Sequence, residues 1–150
     1  MRNHEETKLT IAVADYLRGE IHKGRQVIRV GVPFPDLLWT MVANEGRSEA
    51  QGAKFKRMGV RAGVADFLVW HKGIAGAIEL KSETGKQSPH QHDFECKLTR
   101  LGHKYAICRH VWEVRDTLVC WGLECKNTNC IEPAPSLEKR MKAARDFFRP

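Results

Sequence analysis

The sequence predicts a single α/β domain with a mixed central β-sheet flanked by helices. A length of 150 residues suits one hydrophobic core. Two apolar, β-rich runs at residues 64–70 and 75–80 are separated by His71-Lys72-Gly73, a pattern that predicts an antiparallel hairpin. Several other segments repeat apolar residues at helical spacing, so helices are expected on both sides of this hairpin.

The helix nearest the N-terminus is predicted over residues 4–18. Leu9, Val13 and Tyr16 fall on one face there, Asn3 is a candidate cap, and Gly19 is a candidate end. The same kind of spacing predicts helices over residues 48–58, 88–101 and 110–123. In the helix at 88–101, the expected apolar face consists of Phe94, Leu98 and Leu101.

The region between residues 25 and 44 has a weaker pattern. Val27, Ile28, Val30 and Val32 favour a strand, but Gly31, Pro33 and Pro35 interrupt it. A short strand is predicted over residues 37–42, followed by a turn at Asn44-Glu45-Gly46. A last strand is predicted over residues 105–108.

The C-terminal part of the chain changes in character. Residues 1–125 are predicted to form the domain, and the prolines and asparagines after residue 125 indicate a linker. Residues 136–148 place Leu137, Met141, Ala144 and Phe148 on one face among several basic residues. This pattern predicts an appended amphipathic, basic C-terminal helix within the segment 126–150.

Composition restricts the class of protein. No stretch approaches the ~20 apolar residues of a membrane span, and the charged N-terminus lacks the apolar centre of a signal peptide. We therefore expect a soluble, cytoplasmic protein that does not contact a membrane. The net charge of +7 is a weak indication of a polyanionic partner.

The five cysteines leave one alternative open. An odd count without a secretory signal argues against a disulfide framework. Cys120, Cys125 and Cys130 could instead build a zinc-stabilised interaction protein, although zinc sites usually show tighter cysteine pairs and two further ligands.

The residues that indicate chemistry are Asp66, Glu79 and Lys81. Alternate side chains of a strand share a face, so Glu79 and Lys81 project together, while the hairpin brings Asp66 close to them. A D…E-x-K pattern also occurs by chance on solvated strands. The apolar residues around these charges favour function, because charges within core-forming segments are usually paired or metal-bound.

Such a group of residues suits phosphodiester hydrolysis. Two carboxylates are hard oxygen ligands for Mg²⁺ or Mn²⁺, and the backbone carbonyl of Leu80 is a candidate further ligand. A metal ion there would polarise the phosphate and acidify a bound water. Lys81 would orient or deprotonate the attacking water, or stabilise charge on the phosphate.

The segment from residue 44 to residue 91 resembles the VRR-NUC domain, a branch of the PD-(D/E)XK nuclease superfamily with a restriction-endonuclease-like core. The similarity extends over roughly residues 4–122. It is carried by Asn44-Glu45-Gly46, by residues 59–66, by Ile78-Glu79-Leu80-Lys81, by Ser88 with Gln91, and by Glu6 with the apolar positions of the first helix.

The resemblance implies specific roles. Asp66 and Glu79 would bind metal, Lys81 would be the catalytic lysine, and Gln91 would be the helix glutamine beside the site. Glu6 would approach the metal through water, with the neighbouring Glu5 as the alternative. The family usually has proline before the aspartate, where this chain has Ala65; proline there stiffens the backbone and supplies no ligand.

The resemblance also implies partners. This chain is similar to the compact stand-alone type found in phages and bacteria, and other family members include the C-terminal module of a repair nuclease. The expected function is a DNA endonuclease on branched or structured DNA, acting as a homodimer. Two alternatives share this fold, an inactive nucleic-acid-binding module and an enzyme of packaging or RNA cleavage.

Candidate phosphate contacts are the basic residues near the predicted site: Lys54, Lys56, Arg57, Arg61 and Lys86.

Overall fold

The computed structural model describes residues 4–43, 49–127 and 136. The described elements, in chain order, are α1 (His4–Arg18), β1 (Glu20–Lys23), β2 (Gln26–Arg29), β3 (Leu38–Met41), α2 (Glu49–Arg57), β4 (Phe67–His71), β5 (Ile74–Leu80), α3 (Pro89–Arg100), β6 (Lys104–Cys108) and α4 (Val111–Cys120).

A four-stranded mixed sheet lies at the centre of the fold, in the order β3-β4-β5-β6. The pairs β3–β4 and β4–β5 are antiparallel, whereas β5 and β6 are parallel and are connected by α3. A connection through a helix is required here, because parallel strands cannot be joined by a tight turn. The predicted mixed sheet is therefore confirmed.

The hairpin of β4 and β5 forms as predicted. Its turn uses Lys72 (φ 38°) and Gly73 (φ 83°), two consecutive residues with positive φ that suit the twist of a two-residue hairpin connection. The register pairs Phe67 with Ile78 and His71 with Ile74. Most of β5 is buried, which makes it the central strand of the core.

Helices cover both faces of the sheet, as the contacts of two β6 side chains show. The ring of Tyr105 lies 6.5 Å from that of Phe94 on α3, whereas the Cys108 thiol contacts Thr117 on α4 at 3.6 Å. Residues at odd and even positions of a strand point to opposite faces, so α3 and α4 lie on opposite sides of the sheet.

The hydrophobic core lies on the face covered by α1 and α4. It combines two layers, the helices and the inner face of the sheet. Its largest fully buried apolar side chains include Val13, Tyr16, Phe67, Ile78, Leu80, Val114 and Leu118. Each such side chain contributes about 1.5–3 kcal/mol through the removal of apolar surface from water. Burial within this core also raises the pKa of the Cys108 thiol to about 12.

The end of α1 is fixed by close backbone packing. Gly19 has φ 70°, and its amide donates to the carbonyl of Tyr16. A Cβ at Gly19 would lie 2.3 Å from the carbonyl oxygen of Gly31, so only glycine allows the chain to pass this close. The predicted helix over residues 4–18 and its end are confirmed.

Two local expectations differ from the structure. The strand β1 was not predicted; it pairs with β2 in a separate two-stranded ribbon and is exposed or half-buried, so it lacks the alternation that marks a strand on a core. Leu101 was expected on the apolar face of α3, but its side chain is 73% exposed. It lies at the C-cap, where the helix has already ended.

Three predicted features lie outside the described residues: the Asn3 cap, the turn at Asn44-Glu45-Gly46, and residues 137–148 of the C-terminal helix predicted over 136–148. The last described continuous residues pack on the domain. The Lys126 amide donates to the Pro33 carbonyl at 2.7 Å, and the Cys125 thiol lies 3.7 Å from the Tyr16 hydroxyl. No described helix has the length and apolar character to cross a membrane.

Candidate active site

Two acidic residues meet at the open end of the β4–β5 hairpin. The antiparallel register pairs Phe67 with Ile78, and one residue further along it Asp66 lies opposite Glu79. The Asp66 carboxylate reaches β5, where Oδ2 accepts a hydrogen bond from the Leu80 amide at 2.8 Å. Asp66 is 5% exposed and Glu79 is 1% exposed. Both carboxylates are thus buried at the end of the sheet, on the face that carries α3.

A lysine neutralises this buried acidic charge. Lys81 Nζ lies 2.6 Å from Glu79 Oε1, and both side chains are buried. The alternation of strand residues brings them to the same face, as predicted from the sequence. Taking two charges out of water is costly, and a direct, hydrogen-bonded contact offsets much of that cost. A pair of this kind is therefore weak evidence for stability.

Gln91 connects the helix α3 to the same carboxylate. Its side-chain Nε2 donates to Glu79 Oε1, and its Oε1 accepts from the Ser88 amide at 2.8 Å. The Ser88 hydroxyl accepts from the Gln91 amide, which completes a capping box at the start of α3. The cap that begins the helix therefore also aims the glutamine amide at Glu79.

Gly63 lets the chain before Asp66 pass directly against the start of α3. It has φ 79°, and a Cβ there would lie 2.2 Å from the His90 carbonyl oxygen and 2.7 Å from the Gln91 amide nitrogen. No side chain fits at that distance. The segment that leads to Asp66 and the turn that presents Gln91 are thereby held against each other.

Glu6 approaches the site from the first turn of α1. Its Oε1 accepts a hydrogen bond from the Ser82 amide at 3.3 Å, next to Lys81 in the chain. Glu6 is half-buried, whereas Glu5 is exposed. A carboxylate is favourable in the first turn of a helix, where the dipole is positive. Four of the site residues that the sequence predicted, Asp66, Glu79, Lys81 and Gln91, thus lie at the open end of the hairpin. The fifth, Glu6, contacts the backbone of Ser82, the residue that follows Lys81.

Two residues that the sequence analysis did not single out also reach this end of the sheet. The Arg109 guanidinium donates to the backbone carbonyls of Ser82 and Gly85. The Tyr105 hydroxyl accepts from Gln87 at 3.3 Å. Burial raises the pKa of Tyr105 to about 12, and the charge of Glu79 adds to the shift. Arg109 directly follows the apolar strand β6, and this position was the sequence signal that could have marked it as a site residue.

The candidate phosphate contacts are exposed. Lys54, Lys56 and Arg57 occupy the last turn of α2, and Lys86 lies in the loop before α3. The fifth, Arg61, lies near α3.

The surroundings of Asp93, on α3, support that placement of Arg61. The hydrogen bond from Lys97 is the main reason that the pKa of Asp93 lies below its usual value, and the charge of Arg61 lowers it further. Arg61 therefore lies near α3, and Lys86 precedes Ser88, the residue that caps the same helix.

The carboxylates of Asp66 and Glu79 suit a hard divalent cation. Both offer buried oxygen ligands at one end of the sheet. The Lys81 ammonium partly neutralises their negative charge when no metal ion is bound. This donor set contains no thiolate or imidazole, so it fits Mg²⁺ or Mn²⁺ better than a softer metal.

A different group has ligand atoms close enough to hold a metal ion. Asp15, Glu20 and His22 each offer one such atom, and these atoms lie within 4.8 Å of one another. The group lies where α1 meets β1, at the opposite end of α1 from Glu6. Arg18 is ion-paired with Asp15 at 3.3 Å and so competes with a cation there.

The cysteines do not form a cluster within the described part of the chain. Cys120 is exposed, and the Cys125 thiol donates to the Asn127 carbonyl at 3.3 Å. In residues 4–43 and 49–127, no metal-holding group includes a cysteine. Cys130 lies outside the described residues, so the zinc alternative stays a prediction.

The fold is similar to that of a solved structure described as "VRR_NUC domain protein". The two chains are 19% identical, the match covers 81% of this chain and 91% of that chain, and the TM-score is 0.54. No family model and no curated protein matches the sequence. At this identity the similarity establishes a shared fold, which confirms the VRR-NUC-like fold expected from the sequence resemblance.

Proposed function

We propose that this chain is a metal-dependent DNA endonuclease of the PD-(D/E)XK type that hydrolyses phosphodiester bonds in branched or structured DNA. The observation that carries the proposal is the convergence of Asp66, Glu79 and Lys81 on one face at the open end of a buried hairpin. The VRR-NUC-like fold supports the same assignment.

In this proposal, Asp66, Glu79 and the Leu80 carbonyl would hold Mg²⁺ or Mn²⁺. When bound, such an ion would polarise the scissile phosphate and lower the pKa of a water molecule. The side chains of Lys81 and Gln91 both donate to Glu79 and keep its carboxylate oriented. Buried, pre-oriented ligands need little rearrangement when charge develops in the transition state.

Lys81 and Glu6 act beside the metal ligands. The Lys81 ammonium has three donors, so it can keep its contact with Glu79 and also orient a water molecule or a phosphate oxygen. Glu6 binds the Ser82 amide next to Lys81 and would approach the metal through water.

DNA would lie against the basic residues around the site. The net charge of +7 favours association with a polyanion, Arg61 lies near α3, and Lys86 lies in the loop before it. Lys54, Lys56 and Arg57, in the last turn of α2, are further candidate phosphate contacts. A homodimer would present two such sites, which suits the cutting of two strands at a branch point.

The proposal is tested by cleavage of end-labelled linear, flap and four-way DNA of matched sequence, in Mg²⁺, Mn²⁺ or EDTA. We expect cleavage of the branched substrates with either ion and none in EDTA. The Asp66→Ala variant, prepared in parallel, should be inactive and so excludes a contaminating nuclease. A wild-type protein that binds these substrates but leaves all three intact with both ions would contradict the enzyme assignment and indicate an inactive binding module.

A further inference from the structure

We propose that Arg109 is a positioning residue of this site, which fixes the turn at residues 82–85 and through it the placement of Lys81 and Glu6. The inference rests on the proposed nuclease function and concerns a residue that the predicted site did not include. Its basis is a set of hydrogen bonds that connects the end of β6 with the chain that follows the lysine.

The Arg109 guanidinium binds this turn at two points. One terminal nitrogen, Nη1, donates to the Ser82 carbonyl, and the other, Nη2, donates to the Gly85 carbonyl at 3.1 Å. The turn also closes on itself, because the Gly85 amide donates to the Ser82 carbonyl at 3.0 Å. Both carbonyls are thus held by a single half-buried side chain.

The base of Arg109 is itself anchored. Its amide donates to Glu113 Oε2 at 2.5 Å, in the first turn of α4. The preceding residue, Cys108, accepts a hydrogen bond from the Lys81 amide at 3.0 Å. Cys108 therefore binds the backbone of Lys81, and the next residue, Arg109, binds the carbonyls of the turn that follows Lys81.

The other side of the turn faces Glu6. The Ser82 amide donates to Glu6 Oε1, and a Cβ at Gly85 would lie 3.1 Å from that same oxygen and 2.9 Å from the Ser82 hydroxyl. This packing leaves little space for the turn to move without displacing Glu6. The His110 Nε2 also lies 2.8 Å from Glu83 Oε1, and both side chains are exposed, so this contact adds little to the placement of the turn.

Arginine suits this role for a geometric reason. Its planar guanidinium presents several donors in a fixed fork and stays charged at all accessible pH values, so it can bind two carbonyls at once. Lysine has a single ammonium centre on a flexible chain. Loss of the fork would free the Ser82–Gly85 turn, and misplacement of a catalytic group by about 1 Å can lower the rate on the order of 100-fold.

The test compares Arg109→Met and Arg109→Lys with a matched control, Arg115→Met. Arg115 lies on α4 and pairs with Asp116 at 2.7 Å, so its replacement removes a half-buried arginine without touching the turn. We expect Arg109→Met to lower kcat on branched DNA by about 100-fold with KM close to that of the wild type. Arg109→Lys should be intermediate, and Arg115→Met should match the wild type.

Amide hydrogen exchange supplies a measurement that does not depend on activity. Faster exchange at residues 82–86 in Arg109→Met, with unchanged exchange in the β4–β5 hairpin, is the expected result. If Arg109→Met does not fold, the same comparison in Arg109→Lys decides the question.

Two results would overturn the inference. One is unchanged exchange in the turn. The other is a raised KM with unchanged kcat and a salt dependence reduced by about one ion, which would assign Arg109 to a phosphate contact. If the wild type itself does not cleave DNA, the proposed function fails, whereas the exchange experiment still tests the role of Arg109 in the turn.

Discussion

Replacing Lys81 with arginine is expected to lower the rate of DNA cleavage by about 100- to 1,000-fold while the protein stays folded. Loss of one positioned donor that acts on the charge developing in the transition state costs a factor of this size. Arginine keeps the positive charge beside Glu79, but its planar guanidinium has a different shape from the compact ammonium that would orient the water or the phosphate oxygen. The buried ion pair can therefore persist when the chemistry of the lysine is lost.

The companion variant Lys81→Met separates the two contributions of this residue. It leaves the Glu79 carboxylate, 1% exposed, without its cation. Breaking a buried pair in this way typically costs about 3–5 kcal/mol. We expect a large loss of thermal stability in Lys81→Met, a small loss in Lys81→Arg and a strongly reduced rate of cleavage in both variants.

The control for these variants is Lys72→Met, at the other end of the same hairpin. Lys72 pairs with Asp36 at 3.2 Å, and both side chains are mostly exposed. An exposed pair contributes little to stability, so this variant should retain cleavage and melt near the wild-type temperature. Wild-type cleavage rates in Lys81→Arg would show that the lysine has no chemical role.

The second large effect is expected at Gly63. Any side chain there meets the backbone of His90 and Gln91, at 2.2 Å for the nearest atom, and neither backbone can move without displacing the start of α3. Gly63→Ala should therefore pull Gln91 away from Glu79. Cleavage should fall sharply, and the free energy of unfolding should fall by roughly 2–5 kcal/mol, combining backbone strain and overpacking.

Gly59→Ala is the matched control for this variant. Gly59 also has a positive φ, 90°, but a Cβ there would have no neighbour within 4 Å. Alanine at this position should cost only the left-handed strain, about 1–2 kcal/mol. Chemical denaturation of both variants, together with cleavage assays, separates strain from close packing. Equal losses in the two variants would contradict the role that we assign to Gly63.

The sequence was sufficient to predict the central part of this fold. The β4–β5 hairpin, its turn at Lys72 and Gly73, and the helix α1 all carry local signals, namely apolar runs, turn formers and helical spacing. Glu79 and Lys81 share a face for the simplest reason, the alternation of strand residues. These features depend on neighbours in the chain, which a single sequence displays.

The features that were missed depend on contacts between distant parts of the chain. Arg109 binds carbonyls of Ser82 and Gly85, more than twenty residues earlier in the sequence. Among the described strands, β1 pairs with β2 in a ribbon of exposed and half-buried residues, so no burial pattern marks it. Close approaches such as that of Gly63 to His90 likewise become visible only when the helices are placed on the sheet.

The central claim is that the carboxylates of Asp66 and Glu79 hold a divalent cation beside Lys81. Anomalous diffraction from a crystal soaked in Mn²⁺ measures this directly. We expect a manganese ion bound by both carboxylates and by the Leu80 carbonyl, at the open end of the β4–β5 hairpin. An ion only at Asp15, Glu20 and His22, or a crystal without manganese between the two acids, would contradict it.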